Sequence, residues 1–347
     1  MNNLIVAPML TGKGGTETVL KGVLQRFKND KDINMQLLLL GKPGDTQWLK
    51  ELEVEQVHII KSKNNIIRTI MLFIFLTLHP KVDNLIAIST NIIHVASIYR
   101  KFTRRKFSIY SWIHFSLFNT TTVNVKYLPE ADYHLAISSG IKNQLREIGI
   151  KPERINIIYN PIPIFKGKIE YNNQSDYKLL YIGRIEYNHQ KNIESLLKAL
   201  VLVKYDWRLD VVGDGEDLNK CKKLAKKLKV DDKITWYGWQ TNPWQVVPNT
   251  NALVLPSNFE GLPMVLLESL SRGIPCISSN CPTGPEDIIR DKENGRLAQV
   301  DNELDLADKI NWMIESREKF NQDHLKSSIK LFYENEYYTR LKKALIM

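Results

Sequence analysis

Residues 252–269 read Ala-Leu-Val-Leu-Pro-Ser-Asn-Phe-Glu-Gly-Leu-Pro-Met-Val-Leu-Leu-Glu-Ser, and the run falls into three parts. Ala252–Leu255 is short and apolar without alternation, the pattern of a strand buried on both faces. A helix pattern covers 264–272 and stops at Gly273, with Pro263 suited to the first helical position, where no backbone N–H is needed. A buried strand that runs through a short loop into a helix is the building unit of a parallel sheet. Open sheets of this kind bind ligands at the carboxyl ends of their strands. Glu260 stands in the loop and Glu268 one turn inside the helix. Met264, Val265, Leu266, Leu267 and Leu270 make that helix apolar on most sides, so Glu268 is expected to point to the wet edge at the strand's carboxyl end.

The chemistry this suggests is recognition of an activated sugar. N–H groups at a helix start can hold a diphosphate, and a nearby carboxylate accepts hydrogen bonds from the vicinal hydroxyls of ribose or hexose. Carboxylates repel a phosphate unless cations stand between them, so the reading requires an Arg or Lys from elsewhere. A Glu-x7-Glu pair taken alone is more often a solvated loop residue plus a capping or salt-bridging group. The strand, loop and helix around this pair turn the balance toward a site.

The 347 residues suffice for two domains with a large core. Lys and Arg number 48 against 38 Asp and Glu, and the excess of 10 favours anionic partners: a nucleotide-sugar, nucleic acid or an anionic membrane. Cys221, Cys276 and Cys281 show no metal-binding or disulfide spacing, which points to a reducing cytosol. The apolar part of the amino terminus is too short for a signal peptide and reads as a first strand. The most apolar stretch, 66–78, carries Arg68 and is shorter than the ~18–20 residues a membrane span requires. It reads first as a buried helix and second as a membrane-surface contact.

Strand-like and helix-like segments alternate along the chain. Strands are expected at 4–7, 35–40, 57–60, 84–88, 107–112, 132–137 and 155–159, with helices between several of them and Ser138 capping one. After the first strand comes Thr-Gly-Lys-Gly-Gly-Thr-Glu at 11–17, in which Gly14 and Gly15 would let the backbone approach a phosphate or sugar; a tight turn without a ligand reads equally well. His114 follows the strand at 107–112, at a carboxyl-end rim, with packed and ligand-binding readings evenly matched. The basic run 100–106, Arg-Lys-Phe-Thr-Arg-Arg-Lys, is either a solvated face or a contact for anionic headgroups. Residues 165–177 are polar and aperiodic and read as a linker. A second alternating set follows, with strands near 179–182, 209–212, 234–237, 252–255 and 275–278, so the chain reads as two doubly wound α/β halves. The second half supplies the cations: Arg184 just after a strand, and Lys191 just before a helix that Asn192 can cap. Gly213, in Val-Gly-Asp-Gly, reads as a wall for base or ribose, and the aromatic residues of 236–239 as either a uracil pocket or core.

These pieces in this order resemble the family-4 glycosyltransferases of the GT-B fold, across most of the chain from Gly14 to Glu268. Within that family, 111–117, 131–140, 236–240 and 273–278 look most like the bacterial lipopolysaccharide core 1,6-galactosyltransferases. The resemblance implies two Rossmann-like domains facing a central cleft: an acceptor-side domain over 1–163, a nucleotide-sugar domain over 164–325, and a tail over 326–347 crossing back. It implies a retaining transfer of a hexose, galactose favoured, from a UDP-sugar to a glycan or glycolipid, with no obligatory metal or other cofactor. Arg184 and Lys191 would bind the diphosphate, Glu268 the ribose hydroxyls and Glu260 the hexose hydroxyls, with the amides near Leu262, Met264 and Val265 helping. His114 would contact the transferred sugar, while Gly14 and Gly15 approach the phosphates. The protein is expected in the cytosol or on the inner face of the cytoplasmic membrane, touching it through 100–106. One departure is the seven-residue step from Arg184 to Lys191 followed by Asn192, longer than the wider family's pattern and similar to the galactosyltransferase branch.

Two rivals stay open on sequence. A UDP-sugar epimerase of the same architecture would use the same phosphate contacts without an acceptor. A non-enzymatic basic protein would bind membrane or nucleic acid. Against nucleic acid, Arg184 and Lys191 sit at ligand-site spacing and form no aromatic-interleaved basic stripe.

Overall fold

The computed structural model describes residues 1–10, 15–52, 56–118 and 121–346. Two units emerge, one of residues 1–161 with 335–347 and one of residues 162–334. The divisions fall at 161/162 and 334/335, where the sequence reading had set 163/164 and 325/326.

The first unit carries β1 (Asn2–Pro8), α1 (Gly15–Phe27), β2 (Asn34–Leu40), β3 (Val57–Ile59), α2 (Asn65–Leu78), β4 (Asn84–Ala87), α3 (Thr90–Thr103), β5 (Ser108–Ser111), β6 (Tyr133–Ala136), α4 (Ser139–Glu147) and β7 (Ile155–Ile157). Its sheet is parallel throughout, in the order β3-β2-β1-β4-β5-β6-β7. β1 is an interior strand, Ile5 standing beside Leu37 on one side and Ile86 on the other. Leu4, Ile5, Val6 and Ala7 are fully buried, which explains why the strand shows no polar alternation. Ser138 caps α4 as its position suggests, its side chain accepting from the Ile141 N–H. The final helix, running to Ile346, belongs to this unit: Lys342 reaches Asp30 and Asp32 at 2.9 and 2.7 Å, and the Tyr110 hydroxyl donates to the Ala344 carbonyl.

The second unit carries β8 (Tyr177–Ile182), α5 (Ile193–Val201), β9 (Trp207–Val212), α6 (Leu218–Lys227), β10 (Ile234–Gly238), β11 (Ala252–Leu255), α7 (Met264–Ser271), β12 (Cys276–Ser279), α8 (Pro285–Ile288), β13 (Gly295–Ala298), α9 (Glu303–Glu315) and α10 (Gln322–Ser328), before the last helix α11 (Glu334–Ile346). Its sheet is again parallel, in the order β10-β9-β8-β11-β12-β13. The three cysteines are buried free thiols, and burial pushes each of them up to about 12.

Four sequence expectations need correction. The 165–177 stretch is no linker but part of the second unit: Ile169 is buried and donates its N–H to the Arg272 carbonyl, and Asn251 donates to the Asn172 carbonyl. α2 is not buried all round, since only Leu72 and Leu76 face inward fully and one whole apolar side lies open. β13 was not anticipated, because Arg296 interrupts its apolar run; that side chain folds back onto Asp291 at 2.8 Å and over the Trp312 ring. Pro263 sits one position earlier than expected, as the N-cap of α7 with extended backbone.

Candidate active site

In the second sheet the strand order reverses between β8 and β11, so the chains leaving those two strands diverge and open a crevice at their carboxyl ends. β8 runs out through Gly183 and Arg184 to Lys191, and β11 runs out through Ser257 to Glu260. The two loops are laced together. The Asn258 backbone N–H donates to the Gln190 carbonyl at 2.8 Å, its side-chain amide to the His189 carbonyl at 2.8 Å, and Asn192 Nδ2 to Asn258 Oδ1 at 2.9 Å. Asn192 holds a left-handed backbone (φ 45°), which Asn tolerates better than most residues, and its side-chain oxygen caps α5 through the Ser195 N–H. The cap predicted from sequence therefore also fixes Lys191 at the crevice.

Lys191 Nζ lies 2.6 Å from Glu260 Oε1, with the two side chains only 18% and 8% exposed. The other carboxylate oxygen of Glu260 receives a longer contact from Gln190 Nε2 at 3.4 Å. The Glu260 main chain is held from behind: Thr283 Oγ1 donates to its carbonyl, and a Cβ on Gly284 (φ 95°) would stand 2.6 Å from Pro263 Cδ. Arg184 does not meet Glu260. It is mostly exposed and pairs with Glu186 at 2.9 Å, while the other Glu186 oxygen accepts the Lys191 backbone N–H at 3.1 Å. Glu186 thus ties the Arg184 guanidinium to the main chain of Lys191, while the Lys191 ammonium stays on Glu260.

Glu268 is half-buried on α7 and accepts a 2.8 Å hydrogen bond from Trp244 Nε1. Burial raises its pKa, and the Trp244 N–H and Arg272 oppose that rise. The Arg272 guanidinium lies 4.6 Å from the ring centroids of both Trp244 and Phe165 and donates to the Glu268 carbonyl. The carboxylate is therefore anchored on an indole, a contact that the expectation of a side chain pointing to the wet edge at the strand's carboxyl end does not include. Leu262 is buried, Met264 and Val265 are half-buried, and the first N–H groups of α7 have no carbonyl within the helix to bond. At Gly213, φ is 147° and a Cβ would fall 1.8 Å from the Gly183 carbonyl oxygen. Only glycine lets the loop after β9 pass this close to the loop that carries Arg184.

In the first unit, Gly15 begins α1 at the carboxyl edge of its sheet, and Gly14 lies outside the described residues. His114 follows β5 at the same edge and is buried, its ring centroid 4.8 Å from that of Trp112. Burial pulls its pKa down to about 4, so the imidazole is neutral near pH 7. Its Nε2 is buried with no hydrogen-bond partner among the described residues. A neutral imidazole with one unsatisfied nitrogen suits a sugar hydroxyl better than it suits a phosphate.

Glu186, Gln190, Trp244, Thr283 and Gly284 were missed by sequence reasoning. Gln190 and Glu186 flank residues already chosen and could have been found by adjacency. Trp244 carried no such signal, since the aromatic cluster at 236–239 drew the attention instead, and Trp239 there is more than half exposed. A cavity of about 330 Å³ lies at the opposite, amino-terminal edge of the second sheet, beside Tyr171, Tyr177, Asn251 and Arg317. The Asn251 amide is already used by the chain, donating to the Asn172 carbonyl and accepting from the Lys178 N–H.

Residues 166–330 match the family model described as glycosyl transferases group 1. The chain is 35% identical to the lipopolysaccharide 1,6-galactosyltransferase of Salmonella typhimurium (strain LT2), over 99% of this chain and 98% of that protein. It is equally similar, 35% over 100% and 98%, to the protein of the same description from Escherichia coli (strain K12). Among solved structures, the apo form of the lipopolysaccharide outer core galactosyltransferase WaaB superposes with a TM-score of 0.91 at 34% identity, covering 100% of this chain and 99% of that one. Anabaena Alr3699/HepE, solved in complex with UDP, gives a TM-score of 0.82 at 15% identity over 99% of each chain, a likeness of fold alone. With two parallel Rossmann-like sheets of the GT-B type and full-length similarity of this order, the chain belongs to the group 1 glycosyl transferases.

Proposed function

We propose that the protein transfers a hexose, galactose in preference, from a UDP-sugar to a glycan or glycolipid acceptor in lipopolysaccharide or related cell-surface polysaccharide synthesis, with retention of anomeric configuration. The observation that carries the nucleotide-sugar reading is the Lys191–Glu260 pair, held in the crevice at the sheet's reversal point. The choice of galactose and of the lipopolysaccharide acceptor follows the relatives that match end to end, which bear the description lipopolysaccharide 1,6-galactosyltransferase.

An arriving diphosphate brings more negative charge than Glu260 does, so Lys191 exchanges the carboxylate for phosphate oxygens. The released Glu260 carboxylate then accepts hydrogen bonds from hexose hydroxyls, and one ligand satisfies both members of the pair. Arg184, mobile enough at its exposed position to leave Glu186, adds a bidentate phosphate contact, and the α7 N–H groups contribute fixed partial charge. Glu268, oriented by Trp244, takes the ribose hydroxyls. His114, kept neutral by burial, hydrogen-bonds the hexose near the reacting carbon. As the bond to UDP breaks, negative charge grows on the leaving phosphate, and groups fixed beforehand stabilise it without reorganising. The acceptor hydroxyl attacks from the leaving-group side and its proton passes to that phosphate.

The test is a panel of UDP-sugars with and without a galactose-accepting lipopolysaccharide core. UDP-galactose should be consumed fastest and the acceptor should gain one hexose in the α configuration. Net conversion of UDP-galactose to UDP-glucose without acceptor would instead mark an epimerase.

A further inference from the structure

The outer face of α2 is built against the rule that solvent-facing helix positions are polar. Ile66, Ile67, Ile70, Met71, Ile74 and Leu78 are between 41% and 71% exposed. At roughly 100° per residue they fall in one arc of about 140°, broken only by Thr77. Single exposed apolar side chains are ordinary, whereas a contiguous face marks a contact surface. The face continues onto α3. Tyr99 packs on Phe73 with ring centroids 5.1 Å apart and its hydroxyl meets Thr77 at 3.1 Å, and α3 itself exposes Ile98 and Phe102, the latter 85% exposed.

Charge is concentrated at the same place. Residues 56–129 hold ten Lys and Arg and one acid, Asp83, a net excess of nine out of the whole chain's ten. Arg100 is taken by Asp132, and Arg105 by the carbonyls of Leu76 and Pro80 at the end of α2. Lys61, Lys63 and Lys81 flank α2, and Lys101, Arg104 and Lys106 end α3; all six are exposed, and among the described residues none has an acidic partner. A second copy of the chain docked through this face would set cation against cation, a juxtaposition that disfavours the complex. Apolar side chains bordered by unpaired cations instead match acyl chains bordered by anionic headgroups.

We infer that α2 and the end of α3 form a docking surface for an anionic lipid bilayer. No helix among the described residues is long and apolar enough to cross a membrane, and α2, about 21 Å long at ~1.5 Å per residue, lies in the plane of the interface. It begins at the carboxyl edge of the first sheet, where Arg68 reaches the chain at Gly41, just past β2. From there the surface runs along α2 to the opposite, amino-terminal edge of the sheet, where Lys81 precedes β4 and the cations that end α3 precede β5. The inference stands independently of which sugar is transferred.

The experiment is flotation of the whole protein with phosphatidylcholine vesicles, pure or containing about 30 mol% phosphatidylglycerol. Binding to the anionic vesicles should be at least about tenfold tighter and should weaken as salt is raised. Ile70→Asp/Ile74→Asp and, separately, Lys101→Glu/Arg104→Glu/Lys106→Glu should each lower vesicle binding by about tenfold or more, with melting temperature and turnover of soluble UDP-sugar unchanged. The inference is overturned if the wild-type protein ignores anionic vesicles, if either variant with an unchanged melting temperature binds them as the wild type does, or if the protein is a dimer that Ile70→Asp/Ile74→Asp separates.

Discussion

Replacing Lys191 by Met removes one member of an ion pair whose atoms are 2.6 Å apart and whose side chains are 18% and 8% exposed. Exposed pairs contribute about 0–1 kcal/mol, whereas removing one partner of a buried pair costs about 3–5 kcal/mol, because the other charge is left dehydrated and alone. Lys191 keeps some contact with water and Gln190 lends Glu260 a longer contact, so the low end applies and Lys191→Met should cost about 3 kcal/mol. Glu260→Gln should cost only about 1 kcal/mol, since the amide oxygen still accepts and Lys191 can turn to water. The double variant leaves no stranded charge and should also lose only about 1 kcal/mol, a coupling of about 3 kcal/mol between the two positions. Urea unfolding followed by tryptophan fluorescence reads this well, because Trp207, Trp236, Trp239, Trp244 and Trp312, five of the seven, lie in the unit that holds the pair. All three variants should lose donor turnover, which separates the stability effect from the chemistry. A Lys191→Met loss below about 1 kcal/mol, or a double variant as unstable as the two singles combined, would refute the reasoning.

Acid should destabilise the first unit through its buried histidines. Burial holds His114 at about 4 and His134 at about 3, against 6.5 for a free imidazole. Below pH 6.5 the unfolded chain takes up protons that the native fold refuses, so stability falls with pH until the native pKa is reached. For His114 alone this is about 3 kcal/mol by pH 4, and His114→Gln should flatten the curve of melting temperature against pH between 6.5 and 4.5; an unaltered slope would count against it. Gly213→Ala places a methyl 1.8 Å from the Gly183 oxygen at a φ of 147°, so it should cost about 3 kcal/mol or more and raise the donor KM by displacing the Arg184 loop; a melting temperature within error of wild type would contradict this. Trp244→Phe deletes the only polar atom of the indole, the donor to Glu268, and should lower stability by about 1–2 kcal/mol and weaken UDP binding in calorimetry; an unchanged Kd would detach Glu268 from the nucleotide.

What was legible in the sequence is what backbone physics dictates locally. Ala252–Leu255 reads as a buried strand because parallel strands covered on both faces lose their polar alternation, and Asn192 and Ser138 read as caps because their side chains satisfy helix-start N–H groups. The crevice follows from those elements, and with it the placing of Arg184, Lys191 and Glu260 at one edge; the ion pair between Lys191 and Glu260 does not. The partners supplied by distant chain were not legible. Trp244 reaches Glu268 from 24 residues away and Thr283 reaches Glu260 from 23, across contacts that no local periodicity encodes. α2 misled for a related reason: an apolar helix reads the same whether its second side meets protein or something outside the chain. Arg296 hid β13, because a guanidinium in an apolar run argues against a buried strand until its partners Asp291 and Trp312 are in view.

The central claim is that Glu260, freed when Lys191 turns to phosphate, grips the hexose of a UDP-sugar. Turnover of UDP-galactose by the wild-type protein and by Glu260→Ala, each measured with acceptor and as slow hydrolysis without it, tests that claim most directly. Loss of the carboxylate should lower kcat/KM by about 100-fold or more, with UDP itself still bound within a few fold of wild type. Equal turnover by the two proteins would take Glu260 out of the site and the account with it.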